Sequence, residues 1–237
     1  MFHKGDLPQF NPLPEPATSP ATHPVSAQEA RLVSPLDPGS LPRLLIIFDE
    51  KRASNEDALF SPKDLGQEMG LEELQTLVLV GPEGAADLSP EVLHGRAASV
   101  FELFEALHKR GWDTRDIFLF GFGQHGTVAL DVALRSPRPL GGVIASGSAV
   151  HLPQEWRKAV TAGSFATPRL IMHGYFDEVV RVETVRTAVT ELQSIGLPVV
   201  FKELNKGHEF DAESELPILT HWLQARRPRA NNSLRSL

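Results

Sequence analysis

Six short apolar-rich runs constrain this chain more than any other feature. They fall at 43–48, 75–80, 117–120, 140–146, 168–173 and 199–204. Runs of this length read as strands buried on both faces of a sheet. Between them lie stretches with helical spacing. In the longest, Val92, Ala97, Val100, Phe101, Phe104, Leu107 and His108 recur on one face, Ser89 and Pro90 stand at the start, and Gly111 ends the run. Further helices are expected at 127–135, at 182–195 (ended by Gly196) and from about 213 to 224, the last with Pro217 in its first turn. A short helix is expected at 61–69, and a surface loop with a helical turn near 155–160. Parallel neighbours need crossovers of this kind. The expected fold is therefore α/β: a mostly parallel sheet of six or seven strands with helices on both faces.

Composition narrows the function classes. The chain has 237 residues, 41% hydrophobic and 22% charged, which suits one α/β domain of about 200 residues with tails. A net charge of −7 argues against nucleic acid as a partner, because such binding needs a basic footprint. With no cysteine, disulfides, thiolate metal sites and a cysteine nucleophile are excluded. No apolar run approaches the ~20 residues needed to span a bilayer, and the N-terminus lacks a signal-peptide core. A cytoplasmic location is the expectation.

Residues 1–40 differ from the rest. Pro8, Pro12, Pro14, Pro16, Pro20, Pro24, Pro35 and Pro38 interrupt helix and strand alike, and few large apolar residues lie between them. This reads as a Pro-rich, disordered tail, with 27–33 as a short strand or turn at the domain edge. Leu13-Pro14-Glu15-Pro16 offers a docking segment for a proline-reading partner, although a plain linker is the simpler reading. The folded domain is expected over 41–226, and 227–237 as a C-terminal tail.

Three segments carry chemistry, and each follows an expected strand. The first is Gly121-Phe122-Gly123-Gln124-His125-Gly126, where a strand turns tightly into a helix. The second is His173-Gly174-Tyr175-Phe176-Asp177-Glu178-Val179-Val180, and the third is Asn205-Lys206-Gly207-His208-Glu209. In an open parallel sheet, functional residues gather beyond the carboxyl ends of the strands. The first segment has the form of a nucleophile elbow, G-x-S-x-G, with Gly123 in the serine place and His125 in that of the second glycine. The chain order is elbow, acid, histidine.

These segments, with Ala145-Ser146-Gly147, resemble the phospholipase/carboxylesterase family of α/β-hydrolases, which includes the acyl-protein thioesterases. The resemblance runs over about 41–224. It implies the α/β-hydrolase fold, Asp177 as triad acid and His208 as triad base, and an acyl or small apolar ester ligand. It implies no cofactor and no metal. His125, His208 and Asp177 are residue types that suit zinc, and nothing in their spacing supports a site.

The departures from the family pattern shift the expectation. Gly123 has no hydroxyl and cannot form an acyl-enzyme. His125 puts bulk where the family has glycine. The family's oxyanion loop after the first core strand is replaced by Phe48-Asp49-Glu50-Lys51-Arg52, whose carboxylates would oppose a developing oxyanion if they point inward. Gln124 keeps its place, and with it one oxyanion amide. The leading expectation is a catalytically impaired relative that retains a ligand site. The alternatives are a working ester or thioester hydrolase that uses water or another nucleophile, with Ser146 and Ser148 the nearest hydroxyls, and a partner-binding scaffold.

Overall fold

The computed structural model describes residues 29–32, 43–50, 69, 71, 74–81, 88–150 and 156–226. Its strands are β1 (Glu29–Leu32), β2 (Arg43–Glu50), β3 (Leu74–Gly81), β4 (Ile117–Phe122), β5 (Gly142–Ser146), β6 (Arg169–Gly174) and β7 (Val199–Leu204). The helices are α1 (Pro90–Lys109), α2 (Gln124–Arg135), α3 (Trp156–Ala159), α4 (Ala162–Phe165), α5 (Val182–Ser194) and α6 (Ala212–Gln224). All seven strands form one sheet in the order β1-β3-β2-β4-β5-β6-β7. β1 is antiparallel at the edge, and the other six strands are parallel.

Strand periodicity builds two cores. Leu44, Ile46, Phe48, Ile117, Leu119, Val143, Ala145 and Ile171 face one side, under the apolar faces of α1, α2 and α5. Leu45, Ile47, Phe118, Phe120, Ile144, Leu170 and Met172 face the other, under Leu219, Trp222 and Leu223 of α6. Alternate residues thus serve opposite layers, as the two-residue repeat of a strand requires. Burying each large side chain contributes roughly 1.5–3 kcal/mol. The central strands therefore hold the frame on which the loops at their carboxyl ends rest.

Several boundaries differ from those the sequence suggests. α2 begins at Gln124 rather than at 127, because Gly123 turns the chain from strand into helix with no intervening loop. Pro217 lies at the sixth position of α6, in its second turn rather than its first, with the helix continuing past it. The helical turn expected near 155–160 is α3, and a second short helix, α4, follows it. Thr161 caps α4 by accepting the Ser164 amide at 3.1 Å. Ser89 stands at the N-cap of α1 without a side-chain capping bond, and Pro90 begins the helix. The 27–33 expectation corresponds to β1. The Pro-rich segment apart from β1, the helix expected at 61–69 apart from Met69, Lys51, Arg52 and residues 227–237 lie outside the described residues.

Candidate functional site

Because β4 to β7 are neighbours and run parallel, the loops after them share one edge of the sheet. Gly123 follows β4, Asp177 follows β6 and His208 follows β7. The loops after β6 and β7 are also bonded to each other. The Tyr175 amide donates to the Leu204 carbonyl at 2.8 Å, and the Phe176 amide to the Lys206 carbonyl at 3.0 Å. Residues 31 positions apart are held at a fixed separation in this way.

Asp177 and His208 meet through His208 Nδ1 and Asp177 Oδ2, 2.8 Å apart. The other carboxylate oxygen, Oδ1, accepts the amides of Val179 at 2.9 Å and Val180 at 2.8 Å. The Asp177 side chain is fully buried, while that of His208 is 27% exposed. Burial alone would push the Asp177 carboxyl up. The Val180 amide, the His208 hydrogen bond and the charges of His208 and His173 outweigh it, so its pKa lies below the ordinary aspartate value. An ionised carboxylate only accepts, so His208 Nδ1 carries the proton. In the neutral ring, Nε2 is then left with its lone pair.

That lone-pair nitrogen faces Gly123. A β-carbon built on Gly123 would lie 3.8 Å from His208 Nε2, in ordinary van der Waals contact. Gly123 has φ 56° and ψ −129°. This left-handed backbone is costly for any residue with a β-carbon. The turn is also packed tightly from behind. A β-carbon on Gly126 would meet Ser148 Oγ at 1.9 Å and the Gly121 carbonyl oxygen at 2.7 Å. Gln124 and His125 are the first two residues of α2, both half-buried. The first amides of a helix have no intrahelical partner, and its N-terminus favours negative charge.

The structure thus brings Gly123, Asp177 and His208 together and places Gln124 and His125 at the adjoining helix start. Among the described residues, no group of three or more His, Asp or Glu side chains could hold a metal ion. Nor is any helix among the described residues long and apolar enough to cross a membrane.

Residues 90–226, more than half of the chain, match the family model described as Phospholipase/Carboxylesterase. The chain belongs to this family. The matched region contains all three site loops. A probable carboxylesterase of rice (Oryza sativa subsp. japonica) is 28% identical over 128 residues, which are 54% of this chain and 54% of that protein. A probable inactive carboxylesterase of the same plant is 25% identical over 127 residues, 53% of this chain and 51% of that protein. The chain spans about half the length of the curated relatives it matches. Among solved structures, Arabidopsis thaliana SOBER1 superposes with a TM-score of 0.67 at 18% identity, covering 78% of this chain and 99% of that one. Zea mays acyl-protein thioesterase 2 superposes with a TM-score of 0.60 at 18% identity, covering 84% and 99%. At these identities the structural likeness shows the α/β-hydrolase fold alone.

In this member of the phospholipase/carboxylesterase family, the alternative hydroxyls are occupied elsewhere. Ser146 and Ser148 are both completely buried. Ser146 Oγ donates to Glu215 Oε2, and Ser148 Oγ donates to the Ser146 carbonyl at 2.8 Å. Neither is placed as a nucleophile. His173, also fully buried, donates through Nε2 to the Val180 carbonyl at 2.7 Å and lies 3.4 Å from Asp177 Oδ2. It braces the acid loop from below. Lys206, which stands in the third segment without an assigned role, and Glu215, which lies outside all three, form a buried ion pair beneath the site. The only signal was a lysine two residues before His208, and nothing in the sequence couples it to position 215.

Proposed function

We propose that this chain is a catalytically impaired member of the phospholipase/carboxylesterase family that keeps a site for an acyl or small apolar ester ligand. One observation carries the reading. The Asp177–His208 pair is assembled and aimed at Gly123, where no hydroxyl exists. In the serine-hydrolase reaction the histidine takes the serine proton as the oxygen attacks the carbonyl carbon, and the carboxylate holds the imidazolium that forms. Here the proton acceptor is in place and the proton donor is missing. No bond to an acyl carbon can form at Gly123, so no acyl-enzyme accumulates.

The surroundings suit an apolar ligand. The Phe122 ring lies 5.3 Å from that of His208, and Tyr175, Phe176 and Val179 are exposed on the loop that carries Asp177. The name of one relative, a probable inactive carboxylesterase, agrees with loss of activity within the family. In the experiment that tests the reading, the purified chain is mixed with a serine-directed fluorophosphonate and with short- and medium-chain aryl esters. No covalent label and turnover at the background rate are expected, together with calorimetric binding of a non-hydrolysable acyl analogue. Stoichiometric labelling overturns the reading.

A second reading is favoured by the same lone pair. His208 Nε2 would accept a proton from a water held over Gly123, and that water would attack an ester or thioester directly. Residual catalysis of about 10³–10⁴-fold over water is known for triads lacking a member. Hydrolysis that disappears in His208→Ala supports this reading, whereas hydrolysis that survives removes it.

A further inference from the structure

Lys206 and Glu215 form an ion pair of 2.7 Å whose side chains are 2% and 0% exposed. Both groups are multiply bonded. Glu215 Oε1 also accepts the Asp211 amide at 3.0 Å, and Glu215 Oε2 accepts the Ser146 hydroxyl. Lys206 Nζ donates to the Glu209 carbonyl and lies 5.6 Å from the centre of the Phe122 ring. His208 stands between Lys206 and Glu209, so one ammonium ties together both ends of its loop. The Glu209 carboxylate tightens the same loop by accepting the Gly207 amide at 2.9 Å.

The pair also reaches the turn that faces His208. The Ser146 carbonyl accepts the Gly123 amide at 2.9 Å, while the Ser146 hydroxyl is held by Glu215. A continuous path of directional bonds therefore runs from Gly123 through Ser146, Glu215 and Lys206 to the His208 loop. It joins β5 to the loop after β7 and to the start of α6, into which that loop leads. Stability is a poor explanation for such a pair. Desolvating two charges costs several kcal/mol per ion, and apolar residues of similar volume often serve as well or better. What the charges add is direction, because each oxygen and each N–H accepts only a narrow range of positions.

We propose that Lys206 and Glu215 are positioning residues, a buried clamp that fixes the His208 ring over Gly123. This rests on His208 being the proton acceptor of the site. With the clamp replaced by apolar packing, the loop relaxes toward solvent and the Asp177–His208 bond is populated for only part of the time.

The test uses the full chain with the paired substitution Lys206→Met and Glu215→Leu, which leaves no charge buried alone. Ser146→Ala serves as the milder second variant. The downfield resonance of the His208 Nδ1 proton is followed by NMR, assigned by its loss in His208→Ala, along with the rate of His208 carbethoxylation. The expected result is a folded double variant in which the Nδ1 resonance broadens beyond detection and carbethoxylation rises about tenfold, as loss of one ordering hydrogen bond allows. Ser146→Ala is expected to give a smaller rise in the same direction. A folded double variant with an unchanged resonance and rate overturns the clamp. If the double variant does not fold, the clamp is decided by Ser146→Ala, and an unchanged His208 rate in that protein overturns it equally. Both readouts are independent of turnover. Failure of the site reading would show separately, as labelling of a Gly123→Ser chain that is indifferent to His208→Ala.

Discussion

His208 Nε2 lies 3.8 Å from the point that a β-carbon on Gly123 would occupy. A hydroxyl one bond further out would fall within hydrogen-bond reach of that nitrogen. The distance relates two residues 85 positions apart, and it defines the most direct experiment on this protein. Gly123→Ser is expected to gain covalent labelling by a fluorophosphonate, and His208→Ala in the same chain to remove it. The serine takes up a left-handed backbone, so a loss of about 1–2 kcal/mol of stability is expected. Mass spectrometry of the labelled chain and thermal unfolding check the two halves.

Gly126 makes a different demand. Its backbone needs no β-carbon-free conformation, but the space is taken by Ser148 Oγ and the Gly121 carbonyl. Gly126→Ala must push α2 away from β5, and a cost of about 3 kcal/mol or more is expected, at the upper end for overpacking. Denaturant unfolding measures it. Gly126→Ala combined with Ser148→Ala should recover part of the loss, since the nearest clash is the serine hydroxyl.

Asp177 makes acid stability legible. Its folded pKa is depressed below the ordinary value of 3.8. The unfolded chain therefore binds the proton first as pH falls, and stability drops with it. The contribution of Asp177 is complete above its unfolded pKa and is lost as pH falls from there through the lower folded value. Unfolding of the parent and of Asp177→Asn should differ most near neutrality and converge at the acid end. A difference that stays constant with pH would contradict the assignment.

Ser146 tests whether a buried hydroxyl does more than hold Glu215. Ser146→Ala leaves Glu215 Oε2 without that donor inside the core. A destabilisation of about 1–3 kcal/mol is expected from an unsatisfied buried group. Labelling of a Gly123→Ser chain should persist in Ser146→Ala, because Ser146 is completely buried and donates to Glu215.

Much of this molecule could be read directly from the chain. The runs at 43–48 and 75–80 correspond closely to β2 and β3, because six apolar-rich residues between polar loops have little alternative to burial in a sheet, whereas 199–204 forms β7 at the sheet edge with its residues exposed or half-buried. The strand–turn–helix at Gly121 to Gly126 was legible for a local reason, the glycine density that a tight turn requires. Pro217 was misplaced because a proline announces a limit to helix formation without saying which turn of the helix bears it. The pairing of Lys206 with Glu215 is not legible, because a charged residue reads as surface unless its partner is known, and here the partner lies nine residues away across a turn.

The sequence by itself determined the layers, the mostly parallel sheet and the chain order of turn, acid and histidine. Apolar periodicity and glycine act over a few residues, so a linear reading captures them. Tertiary structure alone decided that His208 Nδ1 bonds Asp177 and that Nε2 faces Gly123. It also decided that Ser146 and Ser148 are sealed, and that a buried ion pair supports the histidine loop. These facts depend on distances of a few ångströms between residues as far as 85 positions apart. Such distances are fixed only when the parallel sheet brings the carboxyl ends of β4, β5, β6 and β7 side by side.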